Sequence, residues 1–156
     1  MRRTVIATLL LLLAAVPAQA WPPTLDDFRA LSLKAAPPGW RLQDSASLVS
    51  AGSCAPQLMA IFGDDGAFLE YRLDLDNPEP EDNAVPGKRV KLDGRPALYL
   101  QAGGWPRFTY LTVFLPAQVA SLTIGVNQDY TFEEMAQLYY AFPLDELLHS
   151  GGSAAK

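Results

Sequence analysis

Residues 57–75 read Gln57-Leu58-Met59-Ala60-Ile61-Phe62-Gly63-Asp64-Asp65-Gly66-Ala67-Phe68-Leu69-Glu70-Tyr71-Arg72-Leu73-Asp74-Leu75, and they set the fold class. Asp64-Asp65-Gly66 is a hairpin turn signal, because Asp and Gly tolerate the positive φ that tight turns between twisted strands require. Strands are therefore expected over 57–63 and 67–75. In the second, Leu69, Tyr71, Leu73 and Leu75 alternate with Glu70, Arg72 and Asp74. Alternation with period two puts one face in a core and leaves the other largely wet, the pattern of an antiparallel sheet.

The same grammar recurs downstream. Strands over 88–92 and 96–101 flank Asp93-Gly94-Arg95, and strands over 107–115 and 119–127 flank Pro116-Ala117-Gln118. Helix signals bracket this run. Thr24 caps a helix over Leu25–Ala35 with Asp26 and Asp27 in its first turn, where acids suit the helix dipole, and Pro37-Pro38-Gly39 stops it. Thr131-Phe132-Glu133-Glu134 reads as a capping box opening a helix over 131–142, and Pro143 ends it before one or two further turns over 143–149. The expectation is an α+β fold: an antiparallel meander sheet of five to seven strands, with an N-terminal and a C-terminal helix packed on one face.

Ahead of this domain, Met1-Arg2-Arg3 is basic, Val5 to Val16 is apolar apart from Thr8, and Ala18-Gln19-Ala20 has the small-x-small form of a cleavage site. The apolar run is shorter than the roughly 20 residues that span a bilayer as a helix, so residues 1–20 read as a signal peptide. The expected organisation is signal peptide 1–20, a single α+β domain 21–149 and a disordered tail 150–156, located in the periplasm or secreted. No stable membrane insertion is expected once the signal is removed.

Composition limits function. Lys plus Arg number 12 against 17 Asp plus Glu, a net charge of −5, and losing Arg2 and Arg3 makes the remainder more acidic still. That argues against an electrostatic nucleic-acid binder, which needs clustered cations for phosphates. One Cys and one His leave no intrachain disulfide and no multi-Cys zinc site. Cys54 is expected to be buried as a small apolar residue, with pairing to another chain or a small thiol as the alternative. His149 falls in a tail where nothing fixes it. No Gly-rich phosphate loop, G-x-S-x-G elbow, H-E-x-x-H or C-x-x-C occurs, so no enzyme activity, cofactor or metal is expected.

Three stretches invite a site. Residues 74–83 carry five acids, but prolines replace the turn of a calcium loop, and a solvated loop between hairpins is expected. Lys88, Arg89, Lys91 and Arg95 read as a guarded sheet edge with those acids as counterions. The strand over 107–115 is apolar on both sides: Phe108, Tyr110 and Phe114 face one way, and Leu111, Val113 and Leu115 the other. Such a strand is either central and covered twice, or lines a cavity. With Trp105 before it and Tyr99 on the neighbouring hairpin, these aromatics form the candidate surface for an apolar ligand or a partner.

The sequence Val90-Lys91-Leu92-Asp93-Gly94-Arg95-Pro96-Ala97-Leu98-Tyr99-Leu100, a strand over 119–126, and Tyr130-Thr131-Phe132-Glu133-Glu134-Met135-Ala136-Gln137-Leu138 together resemble small extracytoplasmic domains of some anti-sigma factors and lipoproteins. Their shared motifs are a turn glycine and a helix cap. The resemblance implies a sensing or interaction module outside the cytoplasm and transfers no functional residue. The functional expectation is an exported, non-enzymatic binding domain acting on an envelope protein. The alternative is a carrier that holds an apolar small molecule or acyl chain between sheet and helix.

Overall fold

The computed structural model describes residues 21–49, 56–80, 86–104 and 107–149. The elements run α1 (Leu25–Ala35), β1 (Arg41–Val49), β2 (Pro56–Asp64), β3 (Ala67–Leu75), β4 (Lys88–Leu92), β5 (Arg95–Ala102), β6 (Phe108–Leu115), a 3-10 turn (Pro116–Gln118), β7 (Ala120–Val126), α2 (Phe132–Ala141) and α3 (Leu144–His149). All strand pairs are antiparallel, and the sheet has seven strands in the order β1-β2-β3-β7-β6-β5-β4.

The hairpins form where the turn chemistry places them. Asp65 and Gly66 adopt φ of 41° and 84°, and Asp93 and Gly94 adopt 50° and 76°, so each pair makes a two-residue turn that matches strand twist. Both capping boxes close: Thr24 accepts from the Asp27 backbone and Thr131 from the Glu134 backbone, while each acid returns to the cap's own N–H. The third hairpin differs by one residue from the expected strand. Val119 sits at φ 50°, left-handed and sterically costly for a β-branched residue, so β7 begins at Ala120.

β1 was not expected from its sequence. Its stretch RLQDSASLV has few β-branched residues, and the register slips between Leu42 and Asp44, which breaks the alternation. After the slip Ser45 and Ser47 lie opposite Ala60 and Leu58, so polar residues occupy the helix-facing side of an edge strand.

The sheet is two meanders, β1-β2-β3 and β4-β5-β6-β7, joined through the β3–β7 pair. The chain from β3 must therefore travel to the far edge before β4 begins. The described residues of this connection, 76–80, 86 and 87, are mostly exposed. Asn77 donates from its backbone to the Val119 carbonyl and from Nδ2 to Ser121 Oγ, and the Arg89 guanidinium holds Glu79 and the Pro80 carbonyl. Asp74 belongs to β3 and is buried; Glu81 and Asp82 lie outside the described residues. The Lys88–Lys91 strand is an edge, with the Arg89–Glu79 ion pair at 3.2 Å.

The helices of the described residues, α1, α2 and α3, pack on one face of the sheet. Tyr71 at its centre meets Phe142 at 5.2 Å and Phe62 at 6.1 Å between ring centroids, and Phe28 of α1 meets Phe142 at 5.9 Å. Phe28, Phe62, Leu73, Leu111, Leu122, Ile124, Met135 and Leu147 have no exposed surface. Thr109 Oγ1 donates to the Gln128 carbonyl and accepts from the Tyr130 N–H, which ties the β7–α2 connection to the sheet. His149 closes α3, with Nδ1 2.5 Å from the Asp145 carbonyl oxygen, so it is part of a helix and not of a loose tail. Among the described residues no helix is long and apolar enough to cross a membrane.

Candidate functional site

Among the described residues no helix lies on the second face of the sheet, to which side-chain alternation directs every other residue. Its geometry follows from the pairing register, which aligns residues from five or six strands in rows. One row runs Met59, Arg72, Thr123, Thr112, Leu98, Arg89; the next runs Ile61, Glu70, Gly125, Tyr110, Leu100. β7 contributes only small residues here, Ser121, Thr123 and Gly125, so the middle of the face is low and its flanks are high.

Gly125 has a specific role in this relief. A Cβ added there would lie 2.9 Å from Tyr110 Cε1, so the Tyr110 ring occupies the space above a strand that any larger residue would fill. Phe108, two residues earlier on β6, stacks on Tyr110 with centroids 5.9 Å apart and planes 14° apart. Thr112 and Thr123 share a hydrogen bond of 3.0 Å on the floor. Arg72, Leu98, Leu100, Tyr110, Thr112 and Pro86 of the crossover enclose a cleft of about 270 Å³.

A charge trio borders this cleft on β3. Arg72 donates from Nε to Asp74 at 3.1 Å and from Nη1 to Glu70 at 3.2 Å. The two carboxylate side chains are only 12% and 10% exposed, against 34% for Arg72, although no helix covers this face. Burial raises the Glu70 carboxyl above its ordinary pKa; Arg72 opposes the rise and Asp74 adds to it. Burial also raises the Tyr110 hydroxyl, and the Glu70 charge adds to that.

The raised carboxyl sets a pH signature. An unfolded Glu ionises first, so from the ordinary carboxyl value up to the raised native one the unfolded chain holds fewer protons than the native state. Stability contributed by this group therefore falls as pH rises through that window. Glu70→Gln keeps an acceptor for Arg72 and removes the titration. The expected result is a difference in Tm between Glu70→Gln and wild type that moves in the variant's favour through that window and is level above it. Melts from about pH 4 to about pH 8 check this; a difference independent of pH would remove Glu70 as its source.

The structure divides the expected aromatic wall. Phe108, Tyr110 and Phe114 share the helix-free face. Tyr99 does not: it lies opposite Leu111 in the β5–β6 register and so points to the helix side, where its hydroxyl donates to the Tyr130 carbonyl at 2.6 Å and its ring meets Phe132 edge-on. Trp105 and Cys54 lie outside the described residues. β6 is an inner strand of the sheet, and on its second face Phe114 is 3% exposed while Phe108 and Tyr110 are half-buried. Its second face is buried at the Phe114 end, beside the anchored crossover, and open at the Phe108 end. Sequence reasoning missed Arg72, Thr112, Thr123 and Gly125 as parts of a site. Alternation marked Arg72 as outward, but nothing local indicates which residues become its neighbours.

A second cleft, of about 340 Å³, lies between the β4–β5 turn and the α2–α3 junction, lined by Asp93, Arg95, Tyr139, Tyr140 and Asp145 among others. Arg95 reaches the Tyr139 hydroxyl at 3.4 Å and Asp145 at 3.9 Å, and its acids outnumber its cation. Among the described residues no group of three or more His, Cys, Asp or Glu is arranged to hold a metal. A scan against protein families, a search of curated proteins and a search of solved structures each find no match to this chain.

Proposed function

We propose that this chain is an exported, non-enzymatic binding domain that acts through the helix-free face of its sheet on a protein of the cell envelope. The observation that carries this reading is the uneven cover of that face. Half-buried Phe68, Phe108 and Tyr110 stand beside a trio of charges whose carboxylates are nearly desolvated, on the side of the sheet that lacks helices. Interfaces gather their energy in aromatic and Arg side chains set in desolvated pockets, and this face supplies both kinds. The signal-like start and the resemblance to extracytoplasmic modules point the same way. On the helix side the space between sheet and helices is filled by Tyr71, Ile124, Met135 and Phe142, which weighs against a carrier holding an acyl chain there.

The test is site-specific photocrosslinking in intact cells. A benzoylphenylalanine at position 108, on the helix-free face, is expected to capture a discrete partner that the same probe at position 33, on the outer side of α1, does not. The Tyr110→Lys variant is expected to lose that adduct. Equal capture from both positions, or an adduct untouched by Tyr110→Lys, would defeat the assignment of the face. Native mass spectrometry of the exported protein tests the carrier alternative in the same preparation: a bound mass lost on denaturation would favour it.

A further inference from the structure

The cleft between the β4–β5 turn and the α2–α3 junction lies on the helix side of the sheet, apart from the helix-free face. Its volume of about 340 Å³ falls within the roughly 300–1,000 Å³ in which small molecules are held. Phe142 and Leu144, both buried, supply the apolar part of its lining. Two tyrosine rings supply the aromatic part. Tyr139 and Tyr140 meet edge to face, with centroids 5.3 Å apart and planes at 64°. Tyr139 is buried, whereas Tyr140 is 59% exposed, so packing within the domain accounts for the first ring and not for the second.

The charges of the lining are unequal. Three carboxylates, Asp93, Asp145 and Glu146, stand against one guanidinium, Arg95, a net charge of −2. Lys34, outside the lining, pairs with Glu146 at 2.5 Å, and counting it still leaves −1. Arg95 is tied to the wall, with Nη1 donating to the Tyr139 hydroxyl at 3.4 Å and Nη2 standing 3.9 Å from Asp145. Among the described residues no hydrogen bond or ion pair engages the Asp93 carboxylate. Its turn does not need that charge, because Asn meets a φ of 50° equally well. Burial raises the Tyr139 hydroxyl above its ordinary pKa, Arg95 opposes the rise and Asp93 adds to it, so the Asp93 charge is felt at the tyrosine wall.

The same count can be taken for each kind of occupant. An anion is attracted by Arg95 and repelled by three carboxylates. An uncharged group leaves Asp93 unanswered. A cation is repelled by Arg95, attracted by the three carboxylates, and drawn as well to the negative faces of the tyrosine rings.

We infer that this cleft binds an alkylammonium group, with Asp93 as its counter-ion and the Tyr140 ring as its wall. The hydrocarbon attached to that group lies against Phe142 and Leu144. A free aliphatic amine and the lysine side chain of a partner protein both carry this chemistry.

Three probes of one shape isolate the charge requirement: n-butylammonium, n-butyrate and n-butanol. Each is titrated into the 15N-labelled protein at neutral pH and low ionic strength, where charge is least screened, following the Asp93, Gly94 and Tyr140 amides. Butylammonium is expected to give saturating shifts at these groups, with the other two weaker by about fivefold or more. Asp93→Asn keeps the turn and removes the charge, and it is expected to weaken butylammonium by about threefold or more; Tyr140→Ala, at an exposed position, is expected to do the same. Arg95→Gln removes the opposing charge and is expected to tighten it. Butyrate or butanol binding as well as butylammonium overturns the inference, as does undiminished binding in Asp93→Asn and Tyr140→Ala or weakened binding in Arg95→Gln. Nα-acetyl-lysine N-methylamide separates the two sources: tighter binding than butylammonium assigns the site to a partner's lysine, and equal or weaker binding assigns it to a free amine.

Discussion

Replacing Tyr71 by Ala is expected to destabilise the domain by about 3–5 kcal/mol, enough to lower Tm by about 10 °C or more. Tyr71 stands on β3, where the two meanders meet, and no part of it is exposed. Its ring touches Phe62 of β2 and Phe142 after α2, and its hydroxyl donates to the Ala35 carbonyl at the end of α1 at 3.3 Å. Burial drives that hydroxyl far above its ordinary pKa, so it stays a donor at every pH the protein meets. One side chain thus joins sheet, N-terminal helix and C-terminal helices, and its removal opens a cavity that three rigid elements cannot collapse to fill. Tyr71→Phe keeps the rings and gives up one hydrogen bond, with an expected cost of about 1 kcal/mol. Urea unfolding of both variants checks the pair. Similar losses for Ala and Phe would mean that the hydroxyl, and not the packing, holds the layers together.

The second large effect separates two aromatics that sequence alone treats alike. Phe114→Ala is expected to cost about 3–5 kcal/mol, because Phe114 is 3% exposed beside the crossover. Tyr110→Ala is expected to cost about 1–1.5 kcal/mol, since its ring is half-buried and its place over Gly125 can be taken by water. The functional order is the reverse: Tyr110→Ala removes the end wall of the cleft and is expected to abolish capture from position 108. Phe114→Ala, assayed below its lowered midpoint, is expected to retain it. Denaturation midpoints and crosslink yields on the same two proteins give four numbers. A Tyr110→Ala protein that loses as much stability as Phe114→Ala would make that end of β6 ordinary core and leave no site there.

The two edges of the sheet follow different rules. β4 is guarded by Lys88, Arg89 and Lys91, whose charges oppose pairing with another strand, and the crossover is tied to it through Arg89. β1 instead bends at its register slip between Leu42 and Asp44, and a bulge of this kind also discourages edge pairing. That slip hid β1 in the sequence. Read as unbroken alternation, the stretch has no consistent apolar face. Read as two segments about a bulge, Leu42 lies on the helix side, and Ala46 and Leu48 on the other.

What was legible in the chain was what closes within a few residues. Asp65-Gly66 and Asp93-Gly94 turn because their backbones accept positive φ. Thr24 and Thr131 start helices because each can satisfy an N–H three residues on. Alternation from Leu69 to Leu75 assigns inward and outward sides without reference to any partner. The tertiary structure decided which strand lies beside which. The free edge of β3 offers the same N–H and C=O row to any strand, and its pairing with β7 is selected by burying Tyr71, Leu73, Ile124 and Leu122 against the helices together. That one long-range choice leaves β4 at the far edge and sets Arg72 beside Thr123, while the β6–β7 and β5–β6 registers extend the row through Thr112 and Leu98 and turn Tyr99 away from Tyr110. Arg72 and its two carboxylates join the β5–β6–β7 part of the site only through register between strands distant in sequence, a property no local stretch of residues contains.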